Sequence, residues 1–162
     1  MIARKARLRG GKATKRDLSK EQIPVLVCRD RSGNTADFVL EDGGAIAIAR
    51  VLAPIVDSNS VLCTNGGKAL VNAIRNLGVV HKQINLSRNI RVLEGVYHVQ
   101  NVNAYDSRLK TWSVRFHGFA RKYLPSYLGW HTMLDQLGNH ATSRDIFAAA
   151  LGIHANQRLM MI

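Results

Sequence analysis

Acidic residues are scarce in this chain: 11 aspartates and glutamates stand against 23 lysines and arginines, a formal net charge of +12 over 162 residues. With a pI near 10.4, the deficit argues against a basic partner and points to a polyanion, since neutralising phosphates releases their counterions. Long hydrophobic runs are missing too. No stretch is apolar enough to cross a bilayer, and no charged-apolar-small signal pattern or basic amphipathic anchor is visible. A cytoplasmic protein is expected, with no membrane partner. Cysteine is limited to Cys28 and Cys63, each inside an apolar run with no CxxC partner and no histidine in ligand spacing. That excludes a disulfide framework and a zinc site, and leaves buried, reduced thiols as the expectation. No internal repeat of about twenty to fifty residues is present.

What remains is a globular composition: 46% of residues are hydrophobic and the mean hydropathy is −0.08, enough for one domain with a sizeable core. Residues 1–20 form a basic arm, with Arg4, Lys5, Arg7, Arg9, Lys12, Lys15, Arg16 and Lys20 against the single acid Asp17. Such an arm suits phosphate contacts that add affinity without reading sequence. Two β-type runs, 23–29 and 35–41, flank the turn formers Asp30-Arg-Ser-Gly-Asn and predict a hairpin. Asp42 reads as the N-cap of a helix over 43–56 that is weakened by its glycines and Pro54. A short strand at 60–64, a helix at 68–77, a strand at 79–84 and a polar connection at 85–95 follow. A helix from about 123 to 137 places Tyr123, Tyr127, Leu128 and Leu134 on one side, and 146–151 has the makings of another.

The organising stretch is 98–112. No Gly or Pro occurs from 96 to 117, and Val99, Val102, Leu109, Trp112 and Phe116 recur at the spacing of one buried helical face. Asn103, Ser107 and Lys110 stack on a second face. An amide, a hydroxyl and an ammonium in register suit metal-bound water or a phosphate, and equally a solvated surface. Trp112 and Trp130 read as core rather than base-stacking platforms, and His98 and His117, flanking the helix, as structural.

His98-Val-Gln-Asn-Val-Asn-Ala-Tyr with Arg108-Leu-Lys-Thr-Trp, then Arg115-Phe-His-Gly-Phe-Ala-Arg-Lys-Tyr-Leu and Tyr127-Leu-Gly-Trp, resembles the ISXO-like insertion-sequence transposases of bacteria. The likeness extends over roughly residues 8–134, through Ser19-Lys-Glu-Gln-Ile-Pro-Val-Leu-Val-Cys and Val61-Leu-Cys-Thr-Asn-Gly. It implies a DDE enzyme with an α/β, ribonuclease-H-like core spanning 21–137, followed by a tail at 138–162. The first strand of that core would lie upstream of Met1, so the sheet is expected to gape beside 24–29 and 60–64 or to close by pairing them. An added strand from 3–9 would contradict this reading.

By resemblance, such enzymes transfer DNA strands by in-line attack on a phosphate held between two Mg²⁺ ions about 3.5–4 Å apart. Hard cations need oxygen ligands, chiefly carboxylates. The resemblance places the metal-site positions at Asn65, where the family has Asp in Cys-Thr-Asp-Gly, and at Asn103, followed seven residues on by Lys110 as in the subgroup that uses Asn and then Lys. The first aspartate has no counterpart. Neutral amides carry too little charge for two Mg²⁺ ions, and replacing one acid is expected to cost at least about a hundredfold in rate. Asp106 is the nearest substitute acid, while Asp30 and Asp37 belong to the hairpin and point elsewhere. Lys110, Arg115, Arg121 and Lys122 extend positive charge for DNA. The expectation is an inactive transposase domain fragment that binds DNA, alone, as a homo-oligomer or with intact transposase; the alternative is a small basic nucleic-acid-binding protein without catalysis.

Overall fold

A computed structural model describes residues 22–138 and 141–151. The hairpin forms as its turn chemistry requires: β1 (Val25–Arg29) runs antiparallel to β2 (Thr35–Val39). Asp30 closes the turn by accepting from the Asn34 backbone and side-chain amides at 2.8 and 2.7 Å, and Gly33 supplies the positive φ of 91°. Helix α1 (Ala45–Leu52) is shorter than the sequence suggests. Asp42 does not cap it; its carboxylate accepts from the Gly44 amide one step earlier, and Gly44 occupies the cap without a side-chain bond. Strand β3 (Val61–Thr64), helix α2 (Lys68–Leu77) and β4 (Val80–Gln83) make a parallel βαβ unit. The connection that follows holds a single 3₁₀ turn and a small antiparallel pair, β5 (Val92–Leu93) with β6 (Tyr97–His98). Helices α3 (Gln100–Val114), α4 (Leu124–Leu137) and α5 (Ser143–Ala150) complete the chain.

The hairpin has two unlike faces, because alternate residues of a strand point oppositely. Leu26, Cys28, Phe38 and Leu40 pack with α1 and α2 around Ile48, Leu52 and Ala73, the apolar core. The opposite face presents Arg29, Thr35 and Asp37, and it is polar for a reason: it receives α3 and α4. Tyr105, fully buried on α3, donates its hydroxyl to Asp37 at 2.6 Å, and Thr132 of α4 donates to the same carboxylate oxygen at 2.7 Å. Asp135 of α4 binds Arg29 at 2.7 Å and Arg108 of α3 at 2.6 Å; its side chain is only 6% exposed. Arg29 also lies over the Tyr105 ring and donates to Thr35. Burial pushes the Asp135 carboxyl up, but the two guanidinium bonds outweigh it and hold the group below the usual carboxylate range. Asp37 therefore does not point away from the late helix as its sequence position suggests; it ties that helix to the sheet.

The strand pairs do not join. Among the described residues there are three separate two-stranded sheets, and β1 does not pair with β3. Across the hairpin the Leu40 amide donates to the Pro24 carbonyl and the Asp30 amide to the Asn34 carbonyl, so in antiparallel alternation Leu26 and Cys28 face β2 while Val25, Val27 and Arg29 turn their amides outward. On the other side Thr64 accepts from Ile84, which leaves Val61 and Cys63 facing away from β4. A groove of about 390 Å³ lies between β1 and the turn from β3 into α2, lined by Val25, Leu26, Leu40, Ile48, Asn65 and Leu70. Among the described residues, the expected closure by pairing 24–29 with 60–64 is not formed. A strand from 3–9 falls outside the described residues.

Three outcomes are expected. In amide hydrogen exchange, Val25, Val27 and Arg29 exchange faster than Leu26 and Cys28; uniform protection along β1 would show that its outer edge is covered. Asp135→Ala, which strands a half-buried arginine, lowers the unfolding free energy in urea by about 3 kcal/mol, and a loss below about 1 kcal/mol would remove Asp135 as the anchor. The third concerns pH. His131, 5% exposed, has its pKa lowered from the ordinary 6.5 by burial, with Asp135 and Asp37 pulling it up and Arg108 adding to the depression. The folded state binds fewer protons than the unfolded chain, so this contribution to stability is full above about pH 6.5 and drains as pH falls toward the folded pKa. His131→Leu flattens the stability profile between about pH 7 and pH 5, leaving the share of His81, which burial lowers likewise.

Candidate active site

Helix α3 carries most of the expected site, though it starts later than the periodicity suggests. His98 lies in β6 and Val99 is the cap residue, because the β5–β6 pair recruits the two residues before it. His98 is structural there: its Nδ1 accepts from the Gln100 amide at 3.4 Å. His117, with φ of 50°, sits in the turn that ends the helix. On the apolar face Val99 is buried and Val102, Leu109, Trp112 and Phe116 are half-buried. Tyr105 is the most buried residue of the helix, and the apolar pattern passed over it because its polar tip hides an inward position.

Asn103, Ser107 and Lys110 are all exposed on the second face. Ser107 turns its hydroxyl back to the Asn103 carbonyl at 2.9 Å, so it is partly used within the helix. Asn103 lines a cavity of about 410 Å³ with Leu86, Asn89, Arg91, Val99 and Gln100. Asn65 is exposed at the tip of β3, where its amide oxygen accepts from Gly67 at 3.4 Å. The turn around it is tight. Gly66 has φ of 80°, and a Cβ there would fall 2.0 Å from the Gln83 side-chain nitrogen, so only glycine fits without displacing that side chain. Asn65 lines the groove beside β1, and no residue lines both that groove and the Asn103 cavity.

Asp106, the candidate substitute acid, is half-buried one turn from Asn103. Burial raises its pKa, Lys110 opposes that, and the Asp37 charge adds to it. A carboxyl turned toward the interior and toward a second carboxylate is poorly placed to meet Asn65. Among the described residues, no group of three or more His, Cys, Asp or Glu side chains is disposed to hold a metal ion. Asn65 and Asn103, the positions that the resemblance implies, offer two neutral amides, one already engaged by Gly67, set in separate cavities. These residues do not fit a pair of Mg²⁺ ions, whose mutual repulsion calls for anionic oxygen.

Positive charge is better represented. Lys110, Arg115 and Lys122 are exposed, Arg121 is partly so, and the Lys122 ammonium lies 4.7 Å from the Tyr123 ring centre. Arg4, Lys5, Arg7, Arg9, Lys12, Lys15 and Arg16 lie outside the described residues. Cys28 and Cys63 are free and half-buried rather than fully buried. Burial, with the Asp37 charge behind it, pushes the Cys28 thiol up to about 11, and burial raises Cys63 as well, so neither is a ready nucleophile. Two aromatic expectations change: Tyr123 is 52% and Trp130 46% exposed, because α4 turns Leu124, Leu128 and His131 inward instead. Asp135, Thr132 and His131 were not singled out from the sequence; their one signal is spacing at i, i+1 and i+4 on the inward side of a helix.

No helix among the described residues is long and apolar enough to cross a membrane. Neither the curated proteins nor the solved structures contain a match to this chain. The ISXO2-like transposase domain, however, matches residues 2–131, most of the chain. The mixed α/β order, the basic surface and the motifs on α3 and at the tip of β3 agree with that match, and the chain belongs to the ISXO2-like family of DDE transposase domains.

Proposed function

We propose that this chain is a transposase catalytic domain of an insertion sequence that binds DNA without carrying out strand transfer. The observation that carries the reading is the pairing of family membership over 2–131 with amides, Asn65 and Asn103, at the positions where divalent ions would be held. The family uses Mg²⁺; the charge at these two positions does not support it. Residues 21–137 correspond in this reading to a ribonuclease-H-like core. The antiparallel β1–β2 hairpin and the parallel β3–β4 pair support it. Residues 1–20 serve as a phosphate-contacting arm and 138–162 as a tail.

Asn103 and Lys110 keep the order of the subgroup that ends its site with Asn and then Lys. Lys110 then contacts a backbone phosphate, and Arg115, Arg121 and Lys122 add charge around it. These contacts position DNA and carry no base information. The noncatalytic alternative, a basic nucleic-acid-binding protein that associates with intact transposase or with itself, shares the binding half of this reading and differs only in history.

Incubation of the full chain with supercoiled plasmid and Mg²⁺ or Mn²⁺ is expected to give no nicking above a metal-free control. Restoring one acid with Asn65→Asp leaves that result unchanged, because a single carboxylate does not complete a two-ion site. Binding to random duplex is expected to fall steeply with salt, with log–log slope set by the number of phosphates neutralised. Metal-dependent nicking by the unaltered chain would overturn the inactive reading, and absence of duplex binding at low salt would overturn the DNA-binding one.

A further inference from the structure

From residue 107 to residue 134 the chain contains no aspartate or glutamate, yet it holds six of its ten aromatic side chains. In the structure five of these rings, all but Tyr123, gather at the end of the α3–α4 pair remote from Asn103. Trp112 lies at the centre, edge-on to Phe116 at 4.7 Å and to Trp130 at 5.3 Å and 89°. Phe119 stacks on Tyr127 at 4.7 Å and 16°. Four of the rings close on themselves and are half-buried, but Trp130 is 46% exposed although Trp112 braces it at a right angle. A tryptophan whose position is fixed by a second tryptophan and whose surface is nearly half open is a rigid platform, not a filler of the interior.

Its surroundings state what the platform suits. Arg115 follows α3, and Arg121 and Lys122 form the turn that leads into α4. None of the three is in an ion pair among the described residues, and the same stretch supplies no acid to neutralise them. Arg108 is a different case, since Asp135 holds it. An apolar protein surface would have to leave these cations unmatched. Nucleotides outside a duplex offer both complements at once: a base face for the ring and a phosphate every step for the cations.

We propose that this end of the α3–α4 pair binds unpaired DNA nucleotides, with Trp130 stacking on a base and Arg115, Arg121 and Lys122 holding the neighbouring phosphates. The inference rests on the DNA-binding reading above and adds a place and a strand state to it. Duplex DNA, whose bases are already stacked, would use the cations and leave the ring idle.

The test uses the full chain with two probes, a dodecamer of oligothymidylate and a random-sequence duplex. Stacking is expected to quench the tryptophan fluorescence of the unaltered protein with the oligothymidylate and far less with the duplex. Trp130→Leu is expected to weaken oligothymidylate binding by roughly 5- to 100-fold, with duplex affinity changed by less than about twofold, and Trp130→Phe to restore most of the loss. Equal losses on both probes, or an unchanged affinity for oligothymidylate, would overturn the proposal while leaving duplex binding in place. Failure of the unaltered chain to bind either probe would sink the DNA-binding reading with it. If Trp130→Leu does not fold, the unaltered protein still decides: saturating oligothymidylate without quenching refutes stacking. A variant that loses self-association in sedimentation but keeps its oligothymidylate affinity assigns the patch to a second copy and likewise overturns the proposal.

Discussion

Two carboxylates on the inner side of the molecule hold the late helices to the sheet. Asp37 gathers hydroxyls from Tyr105 and Thr132, and Asp135 gathers guanidinium groups from Arg29 and Arg108, so each joins elements far apart in the chain. In a protein with so few acids this is a concentrated use of them. Buried charge is costly unless paired and hydrogen-bonded, and here the pairing is nearly complete: the outer oxygen of Asp37 and the Nδ1 of His131 are the two buried side-chain atoms without a protein partner among the described residues. Every expected site residue on α3 inherits its position from this clasp.

The clasp also draws three of the acids to one place. Asp37, Asp106 and Asp135 all lie near the α3–α4 contact, close enough that the Asp37 charge is felt at Asp106 and at His131. The strand tip itself carries Asn65, which lines the groove beside β1, and among the described residues the two ladders stay in separate sheets.

Much of the architecture could be read from residue patterns. The hairpin around Asp30-Arg-Ser-Gly-Asn, the βαβ unit and both late helices follow from turn chemistry and apolar periodicity, and their ends shift by only a few residues. Local signals of this kind are strong because they need no partner. Less legible were the parts set by tertiary contact. Tyr105 was passed over because its hydroxyl looks solvent-seeking until Asp37 is placed opposite it. Trp130 reads as core by composition alone, and only the rotation of α4 decides that Leu128 and His131 turn inward in its stead. The β5–β6 pair, two residues on each side, is too short for periodicity to announce. As for the site, residue types at 65, 103 and 110 told what chemistry was missing, while the separation of Asn65 from Asn103 into different cavities required the fold.

The two free cysteines acquire an experimental meaning from where their strands lie. Cys28 belongs to β1 and Cys63 to β3, strands of two separate sheets. The Cys28 thiol, pushed up to about 11, is almost wholly protonated near neutrality, and only a thiolate reacts readily with alkylating reagents. Cys63 feels Arg31 and Lys82, which temper its rise. Of two thiols that burial raises, Cys63 is thus the one an alkylating reagent reaches first, so a label enters the native chain on β3 ahead of β1, without any mutation.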